Sequence, residues 1–100
     1  MYQIIYTQSA EFDLDSIFNY ISEDSRERAV NYLGRIGESI SQLMNFPELG
    51  KLSKYPELQM LGIRVLPFEN YLTFYTVNPD NQSITVLRVL RGTMNYRNLF

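Results

Sequence analysis

None of the 100 residues is a cysteine or a histidine. Without cysteine, the chain has no disulfide framework, no thiolate nucleophile and no cysteine-ligated zinc or iron–sulfur site. Without histidine, it lacks the side chain that most often transfers protons near neutral pH and binds metals. Any chemistry must therefore run on arginine, lysine, tyrosine, aspartate or glutamate, and we expect neither a metal nor a cofactor.

Long hydrophobic runs are absent as well. No apolar segment approaches the roughly 20 residues that span a bilayer. Residues 1–6, Met-Tyr-Gln-Ile-Ile-Tyr, carry neither the basic start nor the cleavage site of a signal peptide. With 45% hydrophobic residues and fourteen aromatic ones, the composition is that of a globular chain. We therefore expect one domain, residues 1–100, without a membrane partner and in the cytoplasm.

Charge is modest and unevenly distributed. Residues 1–50 hold three basic and eight acidic side chains, a net charge of −5, whereas residues 51–100 hold six basic and three acidic ones, a net charge of +3. Arg88, Arg91 and Arg97 lie in the last stretch, where no acidic residue follows Asp80. This asymmetry indicates two surfaces with different roles. The alternative is a solvated helix face in the first half and scattered surface arginines in the second.

The first half predicts a strand and two helices. Residues 2–7, YQIIYT, are aromatic and β-branched, as in a strand. Thr7 or Ser9 is expected to cap the first helix and Ser25 the second, which ends before Pro47. Each helix has one apolar stripe, formed by Ala10, Leu14, Ile17, Phe18 and Ile21 in the first and by Ala29, Leu33, Ile36, Ile40, Leu43 and Met44 in the second. The short break between them predicts an antiparallel hairpin.

The second half predicts a loop and three strands. Two prolines, a glycine and the only two lysines mark residues 46–61 as a loop. GIRVLP, YLTFYTV and SITVLRVL are typical of strands, and PFEN and NPDNQ of the turns that join them. Spacing this short requires an antiparallel meander. The predicted fold class is α+β, in the order β-α-α-β-β-β, with the helical hairpin packed on one face of a small, mostly antiparallel sheet.

The alternation of side chains along the last strand predicts the position of its arginine. An arginine in mid-strand beneath helices does not reach water. We therefore expect Leu87 and Val89 to lie under the helices and Arg88 to lie on the uncovered face.

The first of the three strands is expected to follow the same rule. Ile63 and Val65 face the helices in this prediction, and Arg64 faces outward beside Arg88. With the strands paired in chain order, the first and third lie about 9–10 Å apart, so two guanidinium groups can address one anionic target. The alternative is that each arginine is satisfied by a nearby carboxylate such as Glu69.

Three strand motifs carry a resemblance to a known family. LGIRVLPFENYLTFYTV followed by ITVLRVLRGTMNY, behind a helical hairpin with ISQLMNFPELG, resembles the RelE/ParE toxins of type II toxin–antitoxin systems over essentially the whole chain. The resemblance implies a small bacterial toxin that arrests growth and is held inactive by a cognate antitoxin. It also implies that a disordered, acidic antitoxin segment folds over the toxin, as a helix along the hairpin or a strand along the sheet.

One branch of the family, the RelE-like toxins, cuts messenger RNA in the ribosome with basic residues on the sheet and a C-terminal tyrosine or histidine. By resemblance, Arg91 keeps a role here as phosphate clamp and Tyr96 a role in proton transfer or base stacking, with Lys51 and Lys54 as further contributors. Leu72 stands where that branch commonly has an arginine. An unperturbed tyrosine titrates near pH 10, so proton transfer by Tyr96 would need strong tuning.

The other branch, the ParE-like toxins, inhibits DNA gyrase by binding, and VLRVLRG fits its pattern better. That branch typically ends this strand with His-Gly, where this chain has Arg91 and Gly92. Gly92 permits a sharp turn into the tail TMNYRNLF, whose Leu99 and Phe100 either pack on the core or join the target surface. A third alternative is a degenerate member that only binds its antitoxin and modulates transcription.

The predicted binding residues, toward target or antitoxin, are Arg64, Arg88, Arg91, Tyr96 and Arg97. Of these, Arg64 and Arg88 share a basic sheet face in this prediction, and guanidinium groups recognise the carboxylates and phosphates of partners. The favoured partners are the antitoxin and DNA gyrase, and the alternative to gyrase is the ribosome with its messenger RNA.

Overall fold

The chain forms five strands and three α-helices in the computed structural model, which describes all residues, Met1–Phe100. The strands are β1 (Gln3–Tyr6), β2 (Lys51–Leu52), β3 (Arg64–Phe68), β4 (Tyr71–Asn78) and β5 (Ser83–Arg91). The helices are α1 (Gln8–Ser22), α2 (Arg26–Ser41) and the short α3 (Pro56–Gln59), with 3₁₀ turns at Gln42–Met44 and Arg97–Leu99. The predicted order β-α-α-β-β-β is confirmed, and β2 and α3 are additions within the predicted loop.

The two long helices begin where side chains can cap them. Thr7 Oγ1 accepts a hydrogen bond from the Ala10 N–H at 3.0 Å, and Ser25 Oγ accepts one from the Arg28 N–H at 3.2 Å. These bonds satisfy amide groups that no helical carbonyl can reach. Thr7 is therefore the cap of α1, and the two predicted helices are confirmed. The structure contains no helix whose length and apolar character would let it span a bilayer.

The five strands form one sheet in the order β1-β5-β4-β3-β2. β3, β4 and β5 pair antiparallel in chain order, as predicted. β1 runs parallel to β5, with Gln3 opposite Ser83 and Tyr6 opposite Val86. A parallel pair needs a long crossover connection. Here the connection includes α1 and α2, which lie together on one face of the sheet.

A β-bulge interrupts the pairing of β5 with β4. The pairing skips Leu87, because Val86 and Arg88 lie opposite consecutive residues of β4. Val86 and Val89 both lie in the core beneath the helices, although an uninterrupted strand would send them to opposite faces. The bulge therefore changes which face each side chain of β5 takes.

Both faces of the sheet carry apolar clusters. On the helix side, α1 and α2 pack on a buried core that includes Ile36, Ile40, Leu43, Tyr75, Ile84 and Val86. On the opposite side, Leu58 of α3 and Ile63 pack with Phe74 and Leu90, and we call these four residues the far-face cluster. The hairpin does pack on one face as predicted, but the opposite face is covered too.

Candidate functional site

Arg88 does not lie on an uncovered face. Its Nε and Nη2 donate hydrogen bonds to the two carboxylate oxygens of Asp13 on α1, both at 2.8 Å. The Val89 N–H donates to the same carboxylate at 3.0 Å. Asp13 is only 7% exposed, and hydrogen bonding to it raises the pKa of Arg88. The predicted position of Arg88 is therefore wrong, because α1 supplies a buried carboxylate that neutralises it.

Two features explain why alternation misplaced Arg88. The bulge at Leu87 adds a residue to the strand, so Leu87 packs toward the far-face cluster rather than under the helices. Asp13 stands on the apolar stripe of α1, three residues after Ala10 and four before Ile17. A carboxylate on a buried stripe requires a partner, and that spacing was the sequence signal for the ion pair.

Arg64 also takes the face opposite to the predicted one. It lies on the same side of β3 as Leu66, which is part of the helix-side core, whereas Ile63 and Val65 pack in or against the far-face cluster. Its Nη1 donates to the Gly50 carbonyl at 2.8 Å, and its guanidinium forms no ion pair, since Glu69, the carboxylate named as a candidate partner, pairs with Arg35. The alternation along β3 was right but the faces were exchanged, because the far face has an apolar cluster of its own. The predicted guanidinium pair on a bare face does not form.

The tail after β5 covers the far-face cluster. The ring centre of Tyr96 lies 4.7 Å from that of Phe74, and that of Phe100 lies 5.2 Å from it. Phe74 is fully buried beneath these rings. The tail was expected either to pack on the core or to join the target surface, and Phe100 packs on the core.

Arg97 is committed to a neighbouring carboxylate. It forms an ion pair with Glu57 of α3, and its Cζ lies 4.6 Å from the ring centre of Tyr55. The hydrogen bond from the Arg97 guanidinium to the Glu57 carboxylate raises the pKa of Arg97 and lowers that of Glu57. Lys54 Nζ lies 5.4 Å from the same ring, and Tyr96 packs edge-on against it at 5.7 Å. Lys54, Tyr55, Tyr96 and Arg97 thus form a cation–aromatic cluster beside the far-face cluster.

Arg91 and Tyr96 lie on opposite sides of the sheet. The Arg91 guanidinium lies 5.9 Å from the ring centre of Tyr20 on α1, whereas Tyr96 packs on Phe74 across the sheet. Cleavage of RNA by its own 2′-hydroxyl needs a base, an acid and cations around one phosphate. The structure does not bring together the two residues predicted for that chemistry.

The tyrosines with shifted pKa values are poor candidates for a general base. Burial raises the pKa of Tyr6 and of Tyr75. For Tyr32, burial and then the charge of Glu69 raise the pKa. A raised pKa leaves less phenolate at neutral pH, which opposes proton abstraction.

A groove between α1 and the end of β5 lies beside Arg91, and we call it the α1–β5 groove. Its volume is about 230 Å³. The apolar part of its lining consists of Ile17, Tyr20, Tyr71, Val89, Leu90 and Met94. The charged residues of the lining are Asp13 and Arg91. Because Arg88 neutralises Asp13, Arg91 supplies the free charge of the groove.

Exposed apolar side chains lie at the α1–β5 groove, which Tyr20 and Met94 line, and one helical turn beyond its lining residue Ser16, at Phe12. Phe12 is 70% exposed, Tyr20 62% and Met94 44%. Phe12, Ser16 and Tyr20 are spaced four residues apart, so they form a second stripe along α1. This stripe was the sequence signal for the surface, and it was overlooked because it lies outside the stripe that packs on the sheet. Exposed aromatic residues beside an apolar groove are typical of protein–protein contacts.

Comparison with known proteins identifies the family. The family model described as "ParE toxin of type II toxin-antitoxin system, parDE" matches residues 4–96. The chain belongs to the ParE toxin family. This confirms the predicted RelE/ParE membership and the ParE-like branch. A comparison with curated proteins gives no significant match.

Solved structures of toxin–antitoxin systems share the fold of this ParE family member. A chain of the chromosomal ParDE system from P. aeruginosa is 26% identical, with a TM-score of 0.73 over 91% of this chain and 96% of that chain. A chain of the RelBE2 complex from Mycobacterium tuberculosis is 20% identical, with a TM-score of 0.66 over 90% and 96%. A chain of the intact E. coli RelBE complex is 14% identical, with a TM-score of 0.63 over 94% and 100%. The last two identities are low enough that the likeness concerns the fold alone.

Proposed function

We propose that this ParE family member arrests growth by binding to DNA gyrase in the cytoplasm, without catalysing a reaction, and that a cognate antitoxin neutralises it. Membership of the ParE family supports a toxin of the gyrase-binding branch. The α1–β5 groove, with its exposed aromatic rim, supports a protein rather than a nucleic acid as the target.

The separation of Arg91 from Tyr96 carries this proposal. These are the residues to which the resemblance gives roles in RNA cleavage, and they occupy opposite sides of the sheet. A phosphate held by one guanidinium cannot at the same time reach a proton donor across the sheet. A toxin without an assembled catalytic set acts through the surface that it presents.

Arg91 is the residue to which we assign the target contact. Among the predicted binding residues, Arg88 and Arg97 are committed to Asp13 and Glu57. Arg91 has no carboxylate partner and stands at the α1–β5 groove. An arginine beside an apolar pocket is the kind of residue that dominates binding energy at interfaces.

A gyrase supercoiling assay tests the proposal. The purified chain should block supercoiling, and Arg91→Ala should raise the inhibitory concentration by about tenfold or more. Arg26→Ala is the matched control, because Arg26 is exposed on α2 and in no ion pair. Undiminished supercoiling at saturating concentrations of the wild-type chain would refute gyrase as the target.

A ribosome-dependent mRNA endonuclease is the second candidate function. The observation in its favour is the cation–aromatic cluster of Lys54, Tyr55, Tyr96 and Arg97, since proteins stack bases on aromatic rings beside positive charge. Under this alternative, ribosome-bound messenger is cleaved and Tyr96→Phe abolishes the cleavage. Full cleavage by that variant would remove Tyr96 from the chemistry.

An antitoxin is the partner that both candidate functions require. The similar chains from Mycobacterium tuberculosis and E. coli were solved in toxin–antitoxin complexes, which supports a complex of this kind here. Co-expression with the product of the adjacent reading frame should give a stable complex and restore growth. Absence of growth arrest when the chain is expressed alone would favour a member that only binds its antitoxin.

A further inference from the structure

The two edges of the sheet differ in their protection. β2, at one edge, is two residues long and contains Lys51, with Lys54 close behind. Short edge strands and lysines prevent sheets from joining edge to edge. β1, at the other edge, has the sequence QIIY and contains no charge, no proline and no bulge. The β1 edge therefore has none of these protective features.

The hydrogen bonds of β1 define which of its backbone groups are free. The Gln3 N–H donates to the carbonyl of Gln82, the residue just before β5, at 2.9 Å, and the Thr7 N–H donates to the Val86 carbonyl of β5 at 3.1 Å. Alternate residues of a strand direct their N–H and C=O groups to the same edge, so Ile4 and Tyr6 direct theirs away from β5. No other strand pairs with β1. Two residues thus present both backbone donors and acceptors at an unoccupied edge.

This open edge is confined to β1. Beyond the end of β1, side chains at the start of α1 satisfy the backbone groups of β5. Thr7 Oγ1 donates to the Leu87 carbonyl at 2.9 Å, and Asp13 accepts from the Val89 N–H. Before β1, the Tyr2 N–H donates to the Met44 carbonyl at 2.9 Å. The free stretch is therefore bounded on both sides and is the length of one short strand.

We propose that β1 pairs antiparallel with β1 of a second copy of this chain, about a two-fold axis at Ile5. In this register Ile4 lies opposite Tyr6 of the second copy, and the free groups of both residues are satisfied by about four mutual hydrogen bonds. Ile5, which is 45% exposed, then meets its own counterpart in a close, non-hydrogen-bonded pair. The two five-stranded sheets become one continuous sheet.

The absence of charge on β1 selects this occupant over an acidic segment of another protein. An acidic strand laid on QIIY would find no basic side chain on β1 to pair with. A second β1 is neutral and self-complementary, as a symmetric interface requires. Because the contact is short, the dimer is weak and depends on concentration. This inference does not depend on which cellular target the toxin has.

Sedimentation equilibrium of the wild-type chain, at concentrations from about 10 to about 500 µM, measures the dissociation constant of the dimer. Ile5→Lys places like charges opposite one another and should raise the dissociation constant roughly tenfold. Mixing Ile5→Lys with Ile5→Glu should restore a heterodimer, which a merely destabilised fold would not do. Val30→Lys is the control, because Val30 is exposed on α2 rather than at the edge of the sheet.

A cross-linking experiment tests the two-fold axis directly. The chain has no cysteine, so Ile5→Cys can form a disulfide only between copies. Oxidation should convert Ile5→Cys to covalent dimer much faster than Val30→Cys. A wild-type chain that stays monomeric throughout the concentration range, equal cross-linking of the two variants, or a dimer that Ile5→Lys leaves intact would each overturn the proposal.

Discussion

Asp13 and Arg88, 75 residues apart in the chain, form a two-bond ion pair that fastens α1 to β5. The same carboxylate also accepts the Val89 N–H just past the bulge. One side chain therefore neutralises a guanidinium and satisfies a strand edge that no neighbouring strand covers. Removing it would leave two polar groups without partners.

Asp13→Ala should lower the free energy of unfolding by about 2–3 kcal/mol. Breaking a buried ion pair costs about 3–5 kcal/mol, and the figure is reduced here because the Arg88 side chain is 24% exposed. Urea denaturation measures the change. Asp15→Ala, at an exposed position of the same helix, should change stability by no more than about 0.5 kcal/mol. Equal effects of the two substitutions would contradict the role of the ion pair.

Gly50→Ala and Gly37→Ala should change stability in opposite directions. A Cβ at Gly50 would lie 2.7 Å from the Val65 carbonyl oxygen and 2.9 Å from the Tyr75 ring, so we expect a loss of about 1–3 kcal/mol. At Gly37, inside α2, nothing lies within 4 Å of the added atom, and the better helix propensity of alanine should add about 0.5–1 kcal/mol. Thermal unfolding followed by circular dichroism distinguishes the two. A stabilising Gly50→Ala would show that residues 47–50 do not pack on Tyr75 as described.

Tyr75→Phe should cost about 1–3 kcal/mol although it removes one atom. The buried hydroxyl donates to the Pro47 carbonyl and accepts from the Gly50 N–H, both at 2.8 Å. The variant leaves those backbone groups unpaired and releases the loop before β2. Tyr20→Phe, at an exposed position, is the control and should be neutral in the same denaturant titration. Proteolysis near residues 47–50 should accelerate only in the Tyr75 variant.

The Glu57 carboxyl should titrate below its ordinary value of 4.5, because it accepts a hydrogen bond from Arg97. A lowered pKa in the folded state means that the pair stabilises the fold above about pH 4.5, and that this contribution is lost as the pH falls through the lower value. A carbon-detected NMR titration measures the midpoint. Arg97→Gln should raise it toward the ordinary value, because the side-chain hydrogen bond from Arg97 is the largest cause of the shift, whereas Arg26→Gln should leave it unchanged. A midpoint that is the same with and without Arg97 would rule out the pair in solution.

The element order and the antiparallel meander were predictable because their signals are local. Thr7 and Ser25 cap helices through hydrogen bonds to residues three positions later, and such spacing can be read from the sequence. The turns between β3, β4 and β5 are short enough to permit one topology. The family could be recognised for the same reason, since its strand motifs are contiguous.

The faces of the arginines were not predictable, because they depend on distant residues. The alternation of side chains assigns Arg88 to a face correctly only if the strand has no bulge. The bulge at Leu87 depends on the pairing of β5 with β4, so the sequence of β5 alone does not reveal it. The far-face cluster was missed because Leu58 lies in a segment with loop-like composition, and Phe74 is buried by a tail more than twenty residues further on. The α1–β5 groove likewise combines Tyr20 with Met94, which are far apart in the chain.

The parallel pairing of β1 with β5 also sets the timing of folding. Gln3 lies opposite Ser83, so β1 has no partner until the ribosome has synthesised β5. At roughly 5–20 residues per second, that wait lasts roughly 4–16 s. During this interval the nascent chain exposes QIIY on both of its edges, where chaperones can bind it. The sheet that supports the α1–β5 groove is therefore complete only after β5, the last strand of the chain, has emerged.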